Sequence, residues 1–261
     1  MGLQNEIGIN KLTRVLPEGV AAPSGWLAAN GYSRQLVRKY VLGGWLIPLG
    51  HGAYAREGQP VGWEGVLLGL HRLGNMQCHV GGLTALNRQG AAHFLPLGGE
   101  PHIQVVIACK PPAWVRSLNL DPALVFDTRC LFDDQAKATA VVPLATGIRD
   151  WTLPMAGAEM GIMEMLNDVN DRQSFEHAAQ VFEGLTVLRP GVINALLAVC
   201  RSIKVKRLFL FLSAHFDYPW ANRLETAGLD LGRGNRQIVK GGRLDKRFFI
   251  TVPEAFGAKP L

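Results

Sequence analysis

The stretch YSRQLVRKYVLGGWLIPLGHGAYA, Tyr32 to Ala55, constrains the fold more than any other part of the chain, because it demands a short helix and a tight hairpin back to back. Leu36, Val37, Tyr40 and Val41 recur at helical spacing and must face a core, which turns Arg34, Gln35, Arg38 and Lys39 to the other side. Ser33 stands where an N-cap oxygen accepts from a first-turn amide, and Gly43-Gly44 ends the helix where positive φ is cheap. Beyond them, Trp45 to Leu49 and Ala53-Tyr54 flank Gly50-His51-Gly52, which reads as a hairpin.

Upstream, the sequence predicts a helix over about Ile7 to Leu16 and a second, short one over Gly25 to Ala29, capped by Ser24 and ended by Asn30-Gly31. Helix, turn, basic helix and hairpin in that order describe a winged helix-turn-helix. In such a module the second helix enters the major groove, where Arg forks onto guanine and Gln onto adenine, while the wing follows the neighbouring backbone. Base reading is therefore expected of Arg34, Gln35 and Arg38, and phosphate contact of Ser33, Lys39 and His51. A charge run alone would be only the wet face of a surface helix; the flanking elements raise it to a DNA-binding reading.

The chain is 261 residues long and 48% hydrophobic, enough for more than one core. The expected fold class is α+β: a winged helix-turn-helix over residues 1–60, a helical connector packing on the wing over 61–98, and a larger mixed α/β domain over 99–261. Net charge is +4 over residues 1–99, −5 over 100–190 and +7 over 191–261, so two basic ends suited to a polyanion flank an acidic middle. There is no apolar run long enough to span a bilayer and no signal-like segment, so the protein is expected in the cytoplasm, away from membranes. Cys78, Cys109, Cys130 and Cys200 lie far apart and read as buried thiols. His71, His79, His93 and His102 lack close ligand spacing, so no metal is expected.

Within residues 61–86, Trp63, Val66, Leu67 and Leu70 share a helical face, and Val80, Leu83 and Leu86 follow the Gly74-Asn75 break. Strands are expected at Ile103 to Cys109, Leu124 to Asp127, Cys130 to Phe132 and Thr139 to Leu144. Helices follow: one with Met155, Ile162, Met163, Leu166 and Val169, one capped by Ser174, and one opened by Pro190. Lys204 to Phe216 fits one helical face better than a buried strand, and Arg236 to Lys240 with Arg247 to Val252 reads as a closing hairpin.

Catalytic signals are weak. The glycines at 232–234 and 240–242 lack phosphate-loop spacing, and Asp133-Asp134 and Asp168 with Asp171 read as solvated loop acids. The expected function is non-enzymatic and cofactor-free.

The stretch from Tyr32 to Ala55, HVGGLTAL at 79–86, FEGLTVLRPGVINALLAVCRSIKVKRLFLFLSAHFDYPW and RQIVKGGRLDKRFFITVPE occur in an order that resembles the AbiEi antitoxin family of type IV toxin-antitoxin systems. The middle segment AGAEMGIMEMLNDV departs from the opening associated with that region of the family. The resemblance implies an antitoxin that represses its own operon by binding inverted repeats in promoter DNA. It also implies neutralisation of a nucleotidyltransferase-type toxin encoded by the adjacent gene. On this reading Arg201, Lys204, Lys206 and Arg207 form the antitoxicity surface. A ligand-responsive winged-helix regulator without a toxin partner is the alternative.

Overall fold

The computed structural model describes residues 2–90 and 102–256, a mixed α+β structure with eleven α-helices and three β-sheets among those residues. The chain divides into two compact units. One comprises Met1–Val80, Glu100–Arg129 and Pro143–Pro154, the other Gly81–Gly99, Cys130–Val142 and Met155–Leu261, so the chain crosses between them five times.

The first unit opens with α1 (Gly2–Val15), β1 (Ala22–Pro23), α2 (Ser24–Ala29), α3 (Arg34–Leu42), β2 (Leu46–Pro48) and β3 (Ala53–Arg56). The three strands form an antiparallel sheet in the order β1-β3-β2. Leu12, Leu16, Leu27, Val37, Tyr40, Leu46, Ala53 and Ala55 make the core beneath it. Ser24 is not a cap: Pro23 holds the N-cap position and Ser24 begins the helix without a side-chain bond. The carbonyls at the end of α1 are satisfied by cations, Arg149 donating to Arg14 O at 2.8 Å and Arg56 to Leu16 O at 3.3 Å. Pro48 lies on the outer strand of this sheet, at a position whose backbone faces away from β3.

Next comes α4 (Trp63–Leu68), continued by a π-helical turn over Gly69–Leu73. A side chain has no room at two of its positions. A Cβ at Gly65 would sit 1.7 Å from Gly19 O, and one at Gly69 would sit 2.0 Å from Ala21 O. The backbones therefore touch, and Ala21 N donates to Gly65 O at 3.1 Å.

Residues 61–86 are not wholly helical. Between α4 and α5 (Gly82–Arg88) runs β4 (Cys78–Val80), and its three residues are all buried, so no polar alternation marked it as a strand. Then follow β5 (His102–Ile107), α6 (Ala113–Arg116), β6 (Ala123–Asp127), α7 (Asp134–Ala140), β7 (Val141–Ala145) and β8 (Thr152–Ala156), with the five strands ordered β6-β5-β4-β8-β7. The strand expected at Cys130 to Phe132 is absent: these residues are irregular, and Leu131 O accepts from Arg201 N. Asp133 caps α7, accepting from Ala136 N at 2.8 Å, and Met155 belongs to β8 and not to the helix after it.

The second unit is built on α8 (Ala158–Asp168), which is buried continuously from Glu159 to Leu166. Its two buried acids are both paired. Glu164 accepts from Gly82 N at 2.9 Å, and Glu159 takes Arg189 bidentately at 2.9 and 2.8 Å. Burial pushes the Glu159 carboxyl up, but the hydrogen bonds from Arg189 outweigh it and hold the group below the usual carboxylate range.

Around α8 lie α9 (Arg172–Glu183), α10 (Pro190–Val199) and α11 (Ile203–Phe216). The cap of α9 is Asp171, with Ser174 at the third helical position closing a reciprocal capping box, which corrects the expected Ser174 cap. Pro190 opens α10 as expected. α11 is helical, capped by Ser202, and buried on all sides from Val205 to Ser213, which is why its sequence resembled a strand.

The chain ends in β9 (Arg236–Gln237), β10 (Arg243–Asp245) and β11 (Ile250–Val252). The expected closing hairpin is corrected here. β9 pairs with β11 in parallel, and β10 is the antiparallel neighbour, giving the order β10-β11-β9.

Cys78 and Cys200 are buried, but Cys109 is exposed and Cys130 only half-buried, which corrects the expectation of four buried thiols. Burial pushes the Cys78 thiol up to about 12. Among the described residues no helix is long and apolar enough to cross a membrane, and no cluster of three or more His, Cys, Asp and Glu could hold a metal. His93 lies outside the described residues.

Candidate nucleic-acid interface

The basic helix is held by its apolar face. Tyr40, 2% exposed, packs against Tyr32 with ring centroids 6.3 Å apart, and a Cβ at Gly8 would lie 2.6 Å from its hydroxyl, so α1 closes over it without room to spare. Burial raises the Tyr40 phenol above its ordinary value. Val37 is buried beside it, Leu36 and Val41 are half-buried, and Leu42 at the end is 80% exposed. Ser33 caps the helix, its Oγ accepting from Leu36 N at 3.2 Å. Gly43 and Gly44 terminate it, the latter at φ 72°.

With that face fixed, Arg34, Gln35, Arg38 and Lys39 all point to solvent. Arg34 and Arg38 form one row at i, i+4 and Gln35 and Lys39 the next. None of the four side chains has a hydrogen-bond or ion-pair partner among the described residues. Three unneutralised cations and an amide on two turns can meet a polyanion without first breaking a bond within the protein.

The hairpin is fastened at its tip. Leu49 N donates to Ala53 O at 2.9 Å, and Ser24 N donates to Gly52 O at 2.8 Å. Gly50 and Gly52, both at φ 101°, permit this turn, and a Cβ at Gly50 would lie 2.6 Å from Ser117 Oγ. His51 stays exposed between them. Arg116, one residue before Ser117, is exposed. The sequence around it, PPAWVRS, has no periodicity that would have singled it out.

The four residues expected as an antitoxicity surface do not form one. Arg201 is exposed, but Lys204 is half-buried and donates to Asn167 O and, at 3.0 Å, Val169 O, closing the C-terminal end of α8. Lys206 and Arg207 are 5% and 2% exposed. Helical spacing in α11 marks its apolar residues, yet a helix buried on all sides takes its cations inward as well.

The sequence matches two family models, the N-terminal domain of the AbiEi antitoxin transcriptional regulator over residues 5–97 and the AbiEi antitoxin transcriptional regulator of type IV toxin-antitoxin systems over residues 102–253. None of the curated proteins matches the chain. Among solved structures, the RV2827C protein from Mycobacterium tuberculosis is similar at a TM-score of 0.49 and 14% identity, over 94% of this chain and 89% of that one. The two family models lie end to end over nearly the whole sequence, and the chain belongs to the AbiEi antitoxin family of type IV toxin-antitoxin transcriptional regulators.

Proposed function

We propose that the chain is an autorepressing antitoxin whose first 60 residues act as a winged helix-turn-helix, with residues 61–98 as connector and 99–261 as the antitoxin domain. α3 lies in the major groove of double-stranded promoter DNA at inverted repeats, with Arg34, Gln35 and Arg38 on base edges and Ser33, Lys39 and His51 on phosphates. The observation that carries this reading is the exposed, unpartnered row of Arg34, Gln35, Arg38 and Lys39, set opposite buried Val37 and Tyr40.

The remaining part of the reading is neutralisation of a nucleotidyltransferase-type toxin from the adjacent gene, supported by family membership. Of the four residues named for it, Arg201 is the one with an exposed side chain. Gel shifts with the gene's own upstream DNA test repression, and co-expression with the adjacent gene product, scored for growth rescue, tests neutralisation. Failure to prefer that DNA over random duplex overturns the first, and continued growth arrest overturns the second.

A ligand-responsive regulator is the second reading. It is favoured by a cavity of about 270 Å³ at the end of α11, lined by Leu210, Ser213, Asp217, Leu224, Arg247 and Phe248. A small molecule that changes operator affinity would support it.

A further inference from the structure

The basic segment after α11 is built around one buried cation. Arg207 Nε donates to Leu231 O at 2.6 Å, and its Nη1 donates to Gly234 O at 2.8 Å and Phe249 O at 3.1 Å. Phe249 O also accepts from Arg236 N at 2.8 Å. Three carbonyls from separate turns are thus gathered on a guanidinium that is itself sealed from water.

What this arrangement holds in place is an aromatic ring in solvent. Phe249 has φ 55°, an unfavourable conformation for a bulky residue that its surroundings must enforce. Its side chain is 49% exposed although Phe248 and Ile250 on either side are buried. The guanidinium of Arg207 lies 5.9 Å from the ring centroid.

The exposed charges on the same stretches are mostly positive: Arg233 beside Gly234, Arg236, Lys246 and Arg247, against one exposed acid, Asp230. The acids among them are engaged with backbone. Asp245 accepts from Arg247 N and Phe248 N, and Asp230 accepts from Gly232 N.

We infer that Phe249, with Arg233, Arg236, Lys246 and Arg247, is a binding site for unpaired RNA, the ring stacking on one base and the cations following the phosphates. Charge alone would suit any polyanion, but in a duplex the bases already stack on one another and leave the ring no partner. Unpaired bases are presented in a cell mainly by the loops and ends of RNA. The inference does not depend on what α3 does.

The test uses the full-length chain carrying Arg34→Ala, Arg38→Ala and Lys39→Ala, so that α3 presents no cation. Fluorescence anisotropy is measured with a single-stranded RNA of about twelve nucleotides, DNA of the same sequence, and the corresponding duplex DNA. RNA is expected to bind at least as tightly as single-stranded DNA and about tenfold tighter than duplex. Phe249→Asn, which tolerates positive φ, should weaken RNA about tenfold and leave duplex unchanged. Arg236→Ser should weaken RNA and flatten its salt dependence by about one unit.

Duplex bound as tightly as RNA, single-stranded DNA bound more tightly than RNA, or a folded Phe249→Asn protein with undiminished RNA affinity would each overturn the site. Should Phe249→Asn unfold, Phe249→Trp takes its place. Its added emission should be quenched by RNA, and unchanged emission at saturating RNA overturns the stacking.

Discussion

Arg34, Arg38 and Lys39 are exposed on one helix, yet their assigned roles predict different losses. Arg34→Ala or Arg38→Ala should cost about 1 to 3 kcal/mol on the operator and blur preference for it over random duplex. Lys39→Ala should weaken all duplexes alike and reduce the salt slope by about one unit. Competition gel shifts at two salt concentrations separate these outcomes, and equal loss on operator and random DNA for Arg34→Ala would remove it from base reading.

The Glu159–Arg189 pair makes a second residue-scale prediction. Glu159 has a depressed carboxyl, so its stabilisation is present above the unfolded value near 4.5 and disappears as pH falls through the folded value. Because the Arg189 side chain is 55% exposed and screened, Glu159→Gln should cost about 1 to 2 kcal/mol at neutral pH. Urea unfolding should show that gap narrowing once the pH drops below about 4.5.

At the scale of elements, the contact of α4 with the chain before β1 leaves no space for even one methyl group. Gly65→Ala should destabilise by about 3 kcal/mol, whereas Gly25→Ala, with nothing near its Cβ, should stabilise α2 by about 0.5 to 1 kcal/mol. Thermal melts of the two variants should move in opposite directions.

The same contrast explains what could be read in advance. α3 was legible because Ser33, the Gly pair and a two-faced pattern all agree locally, and α11 because its length exceeds that of a strand. β1, β4 and β8 were not, since two to five residues paired with distant segments carry no period of their own. The exposed row on α3 was legible for the same reason as the helix. The burial of Arg207 was hidden, because it depends on the turns from Leu231 to Phe249 that fold back onto α11.

Across the whole molecule, five crossings between units mean that no single cut separates them. A fragment of residues 100–261 would lose β4, which lies between β5 and β8, and α5, whose Gly82 bonds to Glu164. Expressed alone, it should fail to give a cooperative melt. Toxin rescue is therefore better tested in the full chain carrying Arg34→Ala and Arg38→Ala, which should still protect cells while releasing the promoter. Loss of protection there would tie restraint of the toxin to DNA binding.

Pro48 bears on how copies of the protein could gather on one promoter. Lacking an amide hydrogen on the open rim of its sheet, it denies a neighbour the donor needed to extend that sheet from molecule to molecule. Contacts between copies set side by side are then left to surfaces other than this rim. Crowding many copies along a promoter then carries little danger of fibrous self-association through this rim.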